Sequence, residues 1–272
     1  MQRQALEWKR AGKTIGFVPT MGYLHEGHLS LMRLARARCD ILVASIFVNP
    51  AQFGPNEDLD AYPRDFERDE ALCKKESVDV VFYPEAKGMY ADDASVWVDE
   101  DRLSGVLCGS SRPGHFRGVC TVVAKLFNLV QPDIALFGEK DAQQLRIIER
   151  MVRDLDFPTR IVRGPIVREP DGLAMSSRNK YLTPSQRNHA LCLKRSLDEA
   201  HRMIERGERS VATVRVAIET LIDAAPETAI DYIAFVDDET LAPIETIKGA
   251  ILVALAVKVG STRLIDNMVF RV

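Results

Sequence analysis

The chain has 272 residues, enough to bury the core of one large domain or two smaller ones, and two is the preferred reading. Its 36 Lys and Arg against 39 Asp and Glu leave a formal charge of −3, which excludes a global basic field for nucleic acid but not a small anion held by local cations. No apolar run approaches the ~20 residues that span a bilayer, the N-terminal Met-Gln-Arg-Gln lacks a signal-peptide apolar region, and the five cysteines (Cys39, Cys73, Cys108, Cys120, Cys192) show no CxxC spacing, so the expectation is a cytoplasmic protein with reduced thiols and no membrane partner.

Residues 2–11 read as a short helix stopped by Gly12. Ile15, Phe17 and Val18 form a short apolar strand, Pro19 to Gly22 punctuate it, and Leu29, Met32, Leu34 and Ala35 mark the inward face of the helix that follows. Strand, turn, helix is the opening of a nucleotide-binding α/β unit. Within it, His25-Glu26-Gly27-His28 sets two imidazoles three residues apart, on one side of a first helical turn. Free helical N–H groups and the dipole favour phosphate there, imidazole adds donors, and Gly27 leaves no side chain between the rings. The spacing resembles the HxGH signature of the nucleotidyltransferase superfamily. A metal pair or two exposed helix-start histidines is the alternative at this point.

A second apolar run, Ile41 to Val48, completes a βαβ unit, so Asn49-Pro50-Ala51-Gln52 opens on the same sheet edge as the histidine turn. Asn49 and Gln52 are either amides for a substrate bearing hydroxyls and a carboxylate or ordinary turn chemistry. Residues 54–64 read as an acidic loop, 65–76 as a helix and 78–82 as a strand with Val81 and Phe82 buried. Asp69 on that helix is a candidate magnesium ligand or a solvated charge. Val96 to Asp99 alternate like a strand. Next, Arg112-Pro-Gly-His-Phe-Arg-Gly makes a turn that can bring His115 or Arg117 to a rim. The helix after it buries Val119, Val122, Val123, Leu126, Phe127 and Val130. Val122 and Val123 wall a pocket for a branched substrate or simply pack the core.

Pro132 to Leu145 repeat the opening pattern: apolar strand, Gly138, then a helix beginning with charges and amides. Gly138 permits close backbone approach, Lys140 offers a point charge for phosphate, and Gln144 lies one turn further on. Asp141 is either an acceptor for ribose hydroxyls or a complement to the helix dipole. After a strand at 159–162, Met175-Ser176-Ser177-Arg178 supplies two hydroxyls and a guanidinium, a phosphate clamp on a loop. Helices over 185–207 and 210–224 and strands over 230–236, 251–257 and 262–270 follow. The expected architecture is α/β: a Rossmann-like parallel-sheet domain over 1–172 and a smaller C-terminal α+β lid domain over 173–272, hinged near the clamp.

Taken together, Pro19-Thr20-Met21-Gly-Tyr-Leu-His25-Glu-Gly27-His28, Phe47-Val-Asn49-Pro-Ala-Gln52-Phe, Arg112 to Val119, Gly138-Glu-Lys140-Asp141 and Met175 to Asn179 resemble, in order and spacing, the pantothenate synthetase (pantoate–β-alanine ligase) family across nearly the whole chain. The resemblance implies that ATP and pantoate give pantoyl adenylate and pyrophosphate, and that β-alanine then yields pantothenate and AMP, with Mg2+ accompanying ATP. It implies His25, His28, Lys140, Ser176, Ser177 and Arg178 around the triphosphate, Gly138 and Asp141 at the ribose, and Val167 and Met175 near adenine. Pro19, Thr20, Met21 and Gly27 would complete the ATP site, and Met21, Asn49, Gln52, Val122, Val123 and Gln144 would receive pantoate. A homodimer is also implied. Another adenylyl- or cytidylyltransferase of the superfamily, or a nucleotide-sensing module without turnover, would share part of this pattern. Two departures stand out: family members carry about one more strand's worth of sequence ahead of Met1, and Ala142 replaces a common aromatic.

Overall fold

A computed structural model describes residues 1–55, 57 and 59–272; residues 56 and 58 of the expected acidic loop lie outside the described residues. By its contacts the chain divides into two compact units, Met1–Glu139 with Gln143–Pro165, and Lys140–Ala142 with Ile166–Val272.

The first unit runs α1 (Gln2–Arg10), β1 (Ile15–Thr20), α2 (Glu26–Arg36), β2 (Ile41–Ile46), α3 (Phe66–Lys75), β3 (Val80–Phe82), α4 (Ala86–Met89), α5 (Cys108–Ser111), α6 (His115–Val130), β4 (Ile134–Gly138), α7 (Ala142–Asp154) and β5 (Arg160–Gly164). The five strands are parallel, in the order β3-β2-β1-β4-β5. The strand order reverses direction at β1, which puts the C-terminal ends of β1, β2 and β4 on one ligand-facing edge.

Pro19, expected in the turn, lies instead inside β1. Asp133 N donates to Ile15 O while Phe47 N donates to Thr20 O, so odd residues of β1 face β4 and even ones face β2. The β1–β4 register ends at Phe17–Ala135, so a proline at 19 deprives no partner of a donor. On the helical side, Leu29, Met32 and Ala35 are buried as the spacing predicts, joined by Leu31, whose Cδ2 occupies the space that a Cβ on Gly164 would need. The absent side chain at Gly164 thus lets α2 close on the end of β5. Burial of Leu29, Leu31 and Met32 contributes roughly 1.5–3 kcal/mol each.

Two expectations for this unit are corrected. Val81 and Phe82 are half-buried, because β3 is an edge strand covered on fewer sides. Residues 96–99 form no strand: Val96 is 84% exposed, and only the side chain of Thr121 pairs with the Val98 backbone. Arg117, the alternative to His115 for the rim, is exposed and lies over the Trp97 ring.

The second unit contains α8 (Pro184–Ala190), α9 (Cys192–Glu205), α10 (Val211–Asp223), β6 (Thr228–Asp237), β7 (Ala250–Val259) and β8 (Thr262–Arg271), with the strands antiparallel in that order. The single helix expected over 185–207 is two, divided at Leu191. Leu193, Leu197, Ile218, Ile222, Val253 and Leu255 are among its core residues. Residues 166–172, read from sequence as the tail of the first domain, are tied to this unit: Arg168 donates twice to the buried Asp266 at 2.7 and 2.9 Å and bridges to Ala174. Among the described residues no helix is long and apolar enough to cross a membrane. No disulfide joins the cysteines among the described residues, and burial pushes the Cys73, Cys120 and Cys192 thiols up to about 11, about 12 and about 11.

Gly118 of α6 meets the 50–52 turn so closely that an added Cβ would collide with Ala51 O and stand 2.7 Å from Gln52 Cα. Neither backbone atom can move aside cheaply. Gly118→Ala is expected to cost about 1–3 kcal/mol in a urea unfolding titration; an unchanged midpoint would contradict this packing.

Candidate active site

The turn between β1 and α2 is built from backbone that no ladder can satisfy. Gly22 and Tyr23 adopt positive φ (82° and 50°), and the amides of Tyr23 and Leu24 both point at Asp69 of α3, at 2.6 and 2.8 Å. Asp69 is 1% exposed, so the expected solvated charge is corrected: the carboxylate is an internal clamp for this turn. Burial raises its carboxyl above the ordinary value, and the two amides with Arg68 pull the other way. Arg68 also donates to Leu24 O at 2.8 Å and lies over the Tyr23 ring. Thr20 Oγ1 donates to Ser45 O at 2.7 Å and accepts from Gly22 N at 3.1 Å, fixing the strand end.

At the helix start the two histidines cap each other's backbone. His25 Nδ1 accepts from Gly27 N at 3.2 Å, and His28 Nδ1 accepts from His25 N at 3.3 Å. An imidazole that accepts at Nδ1 carries its proton on Nε2, so each ring is a neutral Nε2–H donor. The ring centroids are 4.1 Å apart. A Cβ on Gly27 would stand 2.9 Å from the His25 ring, so the packing of the cap itself favours glycine there. The expected free helical amides are also corrected: Gly27, His28 and Leu29 N–H groups all find acceptors on His25.

Along the same edge, Asn49 caps the 50–52 turn and is fully engaged. Its Oδ1 accepts from Ala51 N (3.3 Å) and from the Tyr90 hydroxyl (2.8 Å), and its Nδ2 donates to Gln52 Oε1 and Gly118 O, both 3.1 Å. Asn49 therefore orients Gln52. Among the described residues Gln52 Nε2 has only the Met21 thioether, at 3.3 Å, and sulfur is a weak acceptor that an oxygen-bearing ligand would displace. Burial pushes the Tyr90 hydroxyl up to about 12, keeping it a donor. Nothing in the local sequence at 85–90 singles out Tyr90; only the fold brings it to Asn49. Gly138, ending β4, has nothing within 4 Å of an added Cβ, so protein packing does not demand the glycine. Val122 and Val123 are buried in α6, and Gln144 is half-buried on α7.

His115, expected at a rim, is buried inside the first turn of α6, 9% exposed, with Nδ1 2.8 Å from Gln52 O. Its signal was present in the Pro-Gly-His-Phe-Arg-Gly turn, but not its direction.

In the second unit, Val167, Met175, Ser176, Ser177 and Arg178 come together on one short hairpin. Met175 N donates to Val167 O at 3.0 Å, and Ser176 caps the 177–181 turn by accepting from Arg178 N at 3.2 Å. Asn179 donates to Glu169 and to Ala174 O, while Arg187 of α8 grips Glu169 and Asp171. The clamp is thus a braced element of this unit. Lys140 and Asp141 lie 3.8 Å apart, and Asn267 of β8 holds the Lys140 carbonyl at 2.9 Å. Among the described residues no three His, Cys, Asp or Glu side chains group to hold a metal, and both Asp69 oxygens accept backbone amides.

A parallel sheet reversing at β1, with a His-x-Gly-His cap at that strand's C-terminal edge, defines a nucleotide-binding α/β protein of the HxGH nucleotidyltransferase class. A family model described as pantoate-beta-alanine ligase matches residues 1–269. The chain is 59% identical to the pantothenate synthetase of Caldicellulosiruptor saccharolyticus over 97% of its length and 94% of that protein. A crystal structure of pantothenate synthetase from Thermus thermophilus superposes with a TM-score of 0.92 at 48% identity, covering 97% of this chain and 96% of that one. The pantoate-beta-alanine ligase of Francisella tularensis, complexed with beta-gamma ATP and beta-alanine, is 33% identical with a TM-score of 0.75, covering 98% and 94%. The chain belongs to the pantoate–β-alanine ligase family.

Asp69→Asn leaves one amide facing a donor in place of an acceptor. We expect a loss of about 1–3 kcal/mol and faster hydrogen exchange at the Tyr23 and Leu24 amides. Unchanged protection of those two amides would remove Asp69 from the clamp role.

Proposed function

We propose that this chain condenses pantoate with β-alanine at the expense of ATP, through a pantoyl-adenylate intermediate, releasing pyrophosphate and AMP. The observation that carries this reading is the pair of mutually capped imidazoles on the same sheet edge as the Gln52 amide: phosphate donors and a donor suited to a hydroxy acid on one edge. That pairing occurs in a chain matched along its length by the ligase family.

The chemistry needs no covalent nucleophile from the protein. A pantoate carboxylate oxygen attacks the α-phosphorus, and pyrophosphate leaves; the β-alanine amine then attacks the acyl carbon, and AMP leaves. In this proposal His25 and His28 donate Nε2–H to phosphate oxygens, and Lys140, Ser176, Ser177 and Arg178 stabilise the charge that builds on the departing pyrophosphate. Gly138 and Asp141 serve the ribose, Val167 and Met175 the adenine, and Met21, Gln52 and Gln144 the pantoate, with Asn49 acting through Gln52. Pro19, Thr20 and Gly27 shape the turn that carries the histidines, and Val122 and Val123 back the acid's methyl groups. Catalysis is then alignment plus charge stabilisation. Magnesium enters as part of the nucleotide substrate, because Asp69 is committed to the turn. Assembly as a homodimer belongs to the same proposal and is read directly by sedimentation.

Purified chain with MgATP, pantoate and β-alanine is expected to form pantothenate, AMP and pyrophosphate in equal amounts by mass spectrometry. ATP binding without pantothenate, or pyrophosphate release independent of pantoate, would instead point to a sensor or another nucleotidyltransferase. His25→Ala and Lys140→Ala should each lower turnover by on the order of 10²-fold or more with an unchanged circular dichroism spectrum. Wild-type rates from both variants would overturn the assigned roles.

A further inference from the structure

Glu57, Arg112 and His115 have no place in the chemistry above, yet they form an ordered chain that ends on Gln52. Arg112 meets Glu57 with two parallel bonds, Nε to Oε1 and Nη2 to Oε2, both 2.6 Å. Burial alone would raise the Glu57 carboxyl, but the hydrogen bonds and charge of Arg112 outweigh it and hold Glu57 below the ordinary carboxylate range. The remaining arm of the guanidinium, Nη1, lies 3.0 Å from His115 Nε2.

A guanidinium has donors only, so His115 Nε2 must accept, and the single ring proton is left on Nδ1. That atom is 2.8 Å from the Gln52 carbonyl oxygen, to which it donates. This tautomer is the opposite of the one carried by His25 and His28. Gln52 is thereby set at both ends: His115 holds its backbone, and Asn49 occupies its Oε1 at 3.1 Å. Among the described residues the Nε2 donors are left facing only a thioether.

We propose that Glu57, Arg112 and His115 are a positioning relay that fixes Gln52 as a donor-only amide for the hydroxy-acid substrate, with His115 working as a neutral Nδ1–H imidazole. The identity of that acid as pantoate rests on the ligase reading; the tautomer does not. An amide whose oxygen is already engaged favours substrates presenting carboxylate or hydroxyl oxygens and disfavours those presenting only donors. A carboxylate and a guanidinium ordered to bias one imidazole exceed what a turn carbonyl needs, since water serves such a carbonyl equally well.

The test compares His115→Phe, which removes both ring nitrogens, with His115→Asn, whose side-chain amide can still donate to Gln52 O. We expect His115→Phe to raise KM for pantoate about tenfold while KM for ATP stays within about twofold, and His115→Asn to recover most of the loss. Should His115→Phe not fold, Glu57→Gln and Arg112→Lys carry the same comparison with the ring in place. In ¹⁵N-histidine spectra of the full chain, His115 should show the Nδ1–H form, and Arg112→Ala should lose that preference. An Nε2–H form in the wild-type protein, an unchanged pantoate KM, or equal rises in both KM values would each overturn the relay. If the wild-type chain makes no pantothenate the ligase reading falls, and the tautomer measurement by itself decides the relay.

Discussion

Where β1 ends, two consecutive amides leave the sheet with no strand to receive them, and the buried carboxylate of Asp69 takes both. An unmet buried N–H costs about 1–3 kcal/mol, so this contact decides whether the turn is a fixed scaffold or a floppy link. Everything after it inherits the placement: the helix start at His25, the strand end at Thr20, and the distance between them. Asp69 comes from α3, beyond the second strand, so the turn becomes rigid only once a long-range contact has closed.

The histidines show how a fold uses one pair of groups twice. As caps they satisfy backbone amides at the start of α2, a task usually given to Ser, Asp or Asn. Because the cap consumes Nδ1, the same bonds fix the proton on Nε2 and so set what the ring offers outward. Neutral imidazoles donate hydrogen bonds without bringing charge, so in the proposed reaction the charge work falls to Lys140 and Arg178. His115 is fixed in the other tautomer by a neighbouring guanidinium, so in three histidines a single backbone or side-chain contact determines the chemistry of the ring.

The second unit solves a related problem by different means. A short Ser-Ser-Arg segment has too few backbone bonds of its own to hold shape. It is braced instead by Asn179 against Glu169 and Ala174, and by Arg187 of α8 against Glu169 and Asp171. The paired bonds from Arg168 to Asp266 anchor the other limb of the hairpin to β8, with the aspartate almost fully desolvated and compensated by a bidentate partner.

Period and punctuation carried the elements. Apolar spacing placed β1, α2, α6, β4 and the three strands of the second unit, because each buries a face whose repeat is local to the chain. The same local logic located the histidine turn, the 49–52 amides, Lys140 and the Ser-Ser-Arg segment, since short spacings of donors are legible without a fold. Pro19 was misread because its tolerance depends on where the β4 ladder stops, and residues 96–99 because alternation alone cannot supply a partner strand. Sequence could list Asp69, Asn49 and His115 as polar groups near the right edge. Which hydrogen bond each makes, and hence whether it meets a ligand or another residue, depends on atoms contributed by distant elements, and only the packed structure determines that.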